Sequence, residues 1–110
     1  MINIIKYVSA DGKCPFDDWF SKLKDPIGKA AVLSRFDRIK QGNLGDYKDI
    51  GDGVYELRLF TGPGYRIYYA WEGEQLILLL TAGSKSQQSK DIQQAKTYWL
   101  EHRSTQNGNR

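Results

Sequence analysis

Two arginines on neighbouring strands are the first residues here whose type and spacing could do chemistry. Residues Val54 to Phe60 alternate in polarity, and Tyr65 to Trp71 form a second strand-like run after the turn Thr61-Gly62-Pro63-Gly64. Successive side chains of a strand point to opposite faces, so Tyr55, Leu57 and Leu59 share one face, as do Tyr65, Ile67 and Tyr69. Both sets must look toward the helices, and directly opposed residues lie on the same face. The tight turn then pairs Leu57 with Ile67 and Leu59 with Tyr65. On the other face Arg58 falls opposite Arg66, and Glu56 opposite Tyr68. Like charges directly opposed destabilise a sheet. An anion held between the arginines would give them a reason to be there; a solvated face on which Glu56 bridges both arginines is the alternative. If that face is open, losing Arg66 should spare the fold.

Lys85 stands where the chain leaves its last strand and opens a helix, in Thr81-Ala82-Gly83-Ser84-Lys85-Ser86. Helix N-termini favour anions, so Lys85 with Arg58 and Arg66 would form a three-cation cluster. An ordinary solvated lysine is the competing reading. Such a cluster suits phosphate, because guanidinium forks match its geometry. The only histidine, His102, and the only cysteine, Cys14, make no metal-ligand set. Cys14 reads as a structural or N-cap residue. The glycine-containing turns lack the Walker pattern.

The elements that must position these groups follow from pattern. Ile2 to Val8 reads as a first strand. Pro15 opens a helix with the stripe Phe16, Trp19, Phe20 and Leu23. Asp25 caps a second helix begun by Pro26, with Ile27, Ala31, Val32, Leu33, Phe36 and Ile39 expected inward and Lys29, Arg35, Arg38 and Lys40 outward. Asp46 to Ile50 reads as a strand, turning at Gly51-Asp52-Gly53 into the arginine-bearing pair. Gln75 to Thr81 is a strand apolar on both faces, hence central or covered on both sides, and Gly83-Ser84 is expected to break the sheet. Ser86 to Arg103 is a third helix with Ile92, Ala95, Tyr98 and Trp99 inward, and 104–110 a polar tail. The order β-α-α-β-β-β-β-α predicts an α+β fold, a helical hairpin and a C-terminal helix on a mainly antiparallel sheet, as a single domain over 1–103.

Composition bounds the function. The chain has 110 residues, of which 40% are hydrophobic and 26% charged, which excludes a disordered protein. Its net charge of +3 permits an anionic partner without demanding one. One cysteine allows no internal disulfide. The run Leu76 to Leu80 is too short to span a bilayer, and Met1 to Lys13 lacks the pattern of a signal peptide. A cytoplasmic protein with no membrane partner is expected.

Three strings, in this order, closely resemble a known family: Gly53-Val54-Tyr55-Glu56-Leu57-Arg58, then Gly64-Tyr65-Arg66-Ile67-Tyr68-Tyr69, then Gly83-Ser84-Lys85-Ser86 with Asp91-Ile92-Gln93-Gln94-Ala95. They resemble the RelE/ParE superfamily of toxins, and within it the addiction module killer proteins related to HigB toxins. The resemblance implies the toxin of a type II toxin–antitoxin pair, neutralised by a helix-turn-helix (HigA-like) antitoxin. It implies cleavage of mRNA on the ribosome, with neither metal nor cofactor. By the resemblance Arg58, Arg66 and Lys85 are site residues, and Tyr98 or His102 supplies a further group from the last helix. In such cleavage the RNA 2′-hydroxyl attacks the adjacent phosphorus and expels the 5′-oxygen. The arginines would stabilise the phosphoryl charge. A lysine can serve as base where neighbouring arginines disfavour its charged form, which makes Lys85 one candidate; Glu56 is its rival. Tyr68 could stack on a base or donate a proton. A ParE-like gyrase poison and a non-catalytic nucleic-acid-binding module remain alternatives.

Overall fold

The computed structural model describes residues 1–108. Strand β1 (Asn3–Lys6) is followed by helices α1 (Pro15–Lys22) and α2 (Pro26–Lys40), then strands β2 (Tyr47–Asp49), β3 (Tyr55–Leu59), β4 (Tyr65–Gly73) and β5 (Leu76–Ser84), and helix α3 (Gln88–Gly108). The five strands form one sheet in the order β1-β5-β4-β3-β2, with β1 parallel to β5 and every other pair antiparallel. This is the expected α+β architecture.

The sheet is the middle of three layers. Phe16, Val32 and Ile39 from the helical hairpin pack on Leu57, Leu59, Tyr65, Ile67, Tyr69, Ile77 and Leu79. Ala95, with Ile92, Tyr98 and Trp99 beside it, packs on Tyr7, Val54, Tyr68, Ala70, Leu78 and Leu80 on the opposite face. Strand β5 is thus covered on both sides, as its unbroken apolar run requires.

The start of α2 is tied to the sheet. Asp25 caps the helix by accepting from the Gly28 N–H at 3.0 Å, and also accepts from the Tyr65 hydroxyl at 2.6 Å. Burial and the Asp25 carboxylate push the Tyr65 hydroxyl up to about 12.

Three expectations are corrected. In α2 the buried stripe is Gly28, Val32, Arg35 and Ile39; Ile27 and Leu33 lie off it and are 73% and 53% exposed. Strand β5 does not break at Gly83-Ser84 but continues through Ser84, which pairs with Tyr65. Helix α3 runs beyond Arg103 to Gly108, so residues 104–108 continue it, while 109–110 lie outside the described residues.

Arg35, expected outward, is buried because it closes the joint between α2 and the sheet edge. Its Nη2 donates to the Arg58 carbonyl at 2.9 Å, and its Nη1 to the carbonyls of Leu44 and Asp46 at 3.4 and 3.3 Å. Gly45, at φ +72°, lets the chain turn here; a Cβ at that position would press on the guanidinium at 3.0 Å. Arg35→Ala strips three carbonyls of a charged donor, and should lower unfolding free energy by roughly 2–3 kcal/mol. Arg38→Ala, on the exposed side of the same helix, should stay within about 0.5 kcal/mol. Urea denaturation of the two variants distinguishes a structural arginine from a surface one.

Candidate functional site

The register of β3 and β4 is the one the alternation requires. Leu57 faces Ile67, Glu56 faces Tyr68, and Arg58 faces Arg66. The like-charge pair is therefore real, but no external anion is needed to reconcile it. Asp46, opposite Arg58 and just before β2, accepts from Arg58 Nε at 3.2 Å. Glu56 takes Arg66 instead, with Nε and Oε1 3.9 Å apart. Each arginine has its own carboxylate, and Glu56 does not bridge the two.

The face that carries these groups is not open, as expected from sequence, but lies under the start of α3. A β-bulge explains how the helix seats. Tyr68 pairs with Thr81 and Tyr69 with Leu79, leaving Leu80 as the extra residue. The shift places Gly83 opposite Arg66, where a Cβ would overlap the Asp91 carboxylate of α3. Glycine is what permits the first turn of α3 to lie there. Gln88 then donates from Nε2 to Glu56 Oε2 at 2.7 Å.

Glu56, Arg66 and Tyr68 are consequently buried. Beneath this turn Glu56 Oε1, Arg66 Nε, Tyr68 Oη and Asp91 Oδ2 are buried without a hydrogen-bond partner. Burial first, then the nearby Glu56 and Asp91 carboxylates, push the Tyr68 hydroxyl well above the usual tyrosine range. It can donate a proton in a hydrogen bond but does not ionise, and its ring is closed to a stacking base.

Two cations remain reachable. Arg58 keeps a third of its side chain exposed. Lys85 is exposed and begins a single 3₁₀ turn, Lys85–Gln87, ahead of α3. Its N–H donates to the Gly64 carbonyl at 2.7 Å, and a Cβ on Gly64 would lie 3.5 Å from Arg66 Nη1 and 3.6 Å from Lys85 Cβ. Lys85 thus sits beside the β3–β4 turn and Arg66. Cys14, at the N-cap of α1, makes no side-chain cap bond, and burial pushes its thiol up.

Tyr98 and His102 are not brought to this cluster. Tyr98 stacks on Tyr7, just past β1, with ring centroids 4.9 Å apart, and His102 Nε2 lies 2.7 Å from Glu72 Oε2. Both belong to the far half of α3, which crosses toward the β1 edge. A groove of about 850 Å³ lies there, lined in part by Ile5, Tyr7, Leu78 and Leu100; Arg58, Arg66 and Lys85 do not line it. Among the described residues no group of three or more His, Cys, Asp and Glu side chains is placed to hold a metal ion. No helix among them is long and apolar enough to cross a membrane.

Sequence reasoning missed Phe60, Asp46, Gln88 and Asp91. Phe60 shares the alternation of Arg58, and stands with the Arg58 and Arg66 Cζ atoms 5.9 and 5.8 Å from its ring centroid. Asp46 was legible, because the turn at Gly51-Asp52-Gly53 that sets Tyr47 against Leu57 sets Asp46 beside Arg58. Gln88 and Asp91 carry no local signal, since their contacts depend on how α3 lies.

Residues 18–100 match the family described as Phage derived protein Gp49-like (DUF891), and the chain belongs to that family. An uncharacterized protein of Haemophilus influenzae is 48% identical over 81 residues, covering 74% of this chain and 82% of the relative.

The buried polar cluster carries two expectations. Arg66→Ala would leave the Glu56 carboxylate buried without its cation. The sequence-based expectation that this change spares the fold is therefore corrected: stability should fall by roughly 3 kcal/mol, read as a lower urea midpoint. The second concerns Asp91, whose carboxyl is raised by burial, with Lys90 opposing weakly. An acid raised on folding contributes fully below its unfolded value near 3.8, and that contribution is lost as pH rises through the folded value. Asp91→Asn should therefore gain stability over the parent as pH rises from about 3 to 7, measured by denaturation at each pH. A constant difference would show that burial does not govern Asp91.

Proposed function

We propose that the protein is the toxin of a type II toxin–antitoxin pair, of the HigB-like branch of the RelE/ParE superfamily, and that it cleaves mRNA on the ribosome. Membership of the Gp49-like family is compatible with a toxin of such a system. The observation that carries the ribonuclease reading is the exposed Lys85 beside the β3–β4 turn, next to Arg66, whose opposed partner Arg58 is also reachable. Glu56, the rival base, is buried and hydrogen-bonded by Gln88.

In this mechanism Lys85 accepts the proton of the 2′-hydroxyl as that oxygen attacks the adjacent phosphorus. The bond to the 5′-oxygen breaks, that oxygen takes a proton from water, and a 2′,3′-cyclic phosphate and a 5′-hydroxyl remain. Arg58 offsets charge on the phosphoryl oxygens, and Arg66 positions the turn from behind. One preorganised donor is worth about 3 kcal/mol in such a transition state. With so few acid–base groups, the ribosome supplies the alignment of the RNA. A helix-turn-helix antitoxin is the proposed neutralising partner, and the cytoplasm the proposed compartment.

The burial of Glu56, Arg66 and Tyr68 favours a second reading, a ParE-like poison of gyrase in which the cluster is structural. Single-turnover cleavage on ribosomes programmed with an mRNA separates the two. Lys85→Arg keeps the charge and loses the proton acceptor, so cleavage should fall by about two to four orders of magnitude with ribosome binding retained. Lys85→Ala should weaken both. Near-parental cleavage by Lys85→Arg removes Lys85 as the base. No cleavage by the parent, with gyrase inhibited instead, selects the second reading.

A further inference from the structure

We infer that Phe60 is a stacking platform for an unpaired base of the RNA, with Arg58 and Lys85 gripping neighbouring phosphates. The inference rests on the RNA reading above and adds a residue that contacts the base. Phe60 follows β3 on the Arg58 side of the sheet and is 72% exposed. A single exposed aromatic residue is ordinary on a protein surface. This one is flanked by two guanidiniums, each within 6 Å of its ring centroid.

Those guanidiniums are held. Asp46 ties Arg58 from the β2 side, and Arg66 is fixed between Glu56 and the Tyr65 carbonyl, to which its Nη1 donates at 3.2 Å. The chain Asp46–Arg58–Phe60–Arg66–Glu56 therefore holds two guanidiniums over the ring, and the side chain still keeps most of its surface in solvent. The turn that follows, Thr61-Gly62-Pro63-Gly64, lacks large side chains and brings in the exposed Lys85 through the hydrogen bond to Gly64. An exposed aromatic ring beside reachable cations is what single-stranded nucleic acid needs, because stacking is indifferent to base identity and the cations track the backbone. A double helix keeps its bases stacked on one another and presents no free face. An acidic protein segment would satisfy the cations but gains little from the planar ring.

The test compares a short single-stranded RNA of mixed sequence with the same sugar–phosphate strand lacking bases, using the full chain. The parent should bind the RNA about tenfold or more tightly than the abasic strand. Phe60→Leu should abolish that preference, leave abasic affinity unchanged and keep the melting temperature; Phe60→Trp should retain the preference. Arg58→Gln should weaken both strands. RNA binding by Phe60→Leu equal to the parent's, or no preference for RNA in the parent, overturns the platform while leaving a phosphate grip intact. Binding of neither strand overturns the platform, and the RNA reading is then decided separately by cleavage on programmed ribosomes. If Phe60→Leu binds RNA normally but escapes neutralisation by the antitoxin, the ring belongs to a protein interface and the inference fails.

Discussion

The fold is organised around two positive charges that the β-ladder forces together. Arg58 and Arg66 are opposed on adjacent antiparallel strands, a spacing of about 5 Å between their Cα atoms that no side-chain rotation can undo. Most sheets avoid the arrangement. Here each neighbour supplies part of the compensation: the residue before β2 brings Asp46, β3 itself brings Glu56, and the Phe60 ring lies under both guanidiniums. Holding Glu56 in turn requires Gln88, so the seat of α3 depends on the same pair. From the other side of the sheet, Arg35 of α2 donates to the backbone of Arg58 and Asp46. One electrostatic problem thus binds both helical layers to the sheet edge.

The helix also decides where chemistry can happen. By covering the middle of the face, α3 turns Tyr68 and Glu56 into buried groups and moves the accessible chemistry to the margin, along the β3–β4 turn. Arg66 changes role on the way, from an exposed cation expected on the open face to a buried one that braces its neighbours. The partnerless oxygens under the first turn show that this cover is not optimally packed, since buried polar atoms without partners cost stability.

The strand pairing was legible from sequence because period-two alternation on both sides of a short turn leaves one self-consistent register. The helix ends at Pro15, Asp25 and Pro26 were legible because proline and a capping carboxylate act locally. The burial of Arg35 was not, since a charged residue on an amphipathic helix looks the same whether it faces water or three backbone carbonyls. The face on which α3 lies was equally hidden. It turns on a bulge at Leu80 and on Gly83, and neither leaves a mark in polarity patterns. The arginines and Glu56 could be found from the alternation, and Asp46 from the turn before β3, but Gln88 and Asp91 came from a helix whose placement is tertiary.

The first strand has a consequence in time. Strands β3, β4 and β5 are joined by short turns and can pair as soon as they exist. Strand β1, by contrast, is hydrogen-bonded only to β5, Asn3 against Leu76 and Lys6 against Leu79. Strand β1 can meet α1 and α2 early, through Lys6 and Asp17 and through the Ile2 N–H and the Lys40 carbonyl, but has no strand to pair with until β5 has been made. Parallel pairing over such a separation carries a large loop-closure entropy and is intrinsically slow. During translation β1 therefore stays outside the sheet until β5 follows it. The sheet is completed only after the arginine-bearing hairpin has left the ribosome.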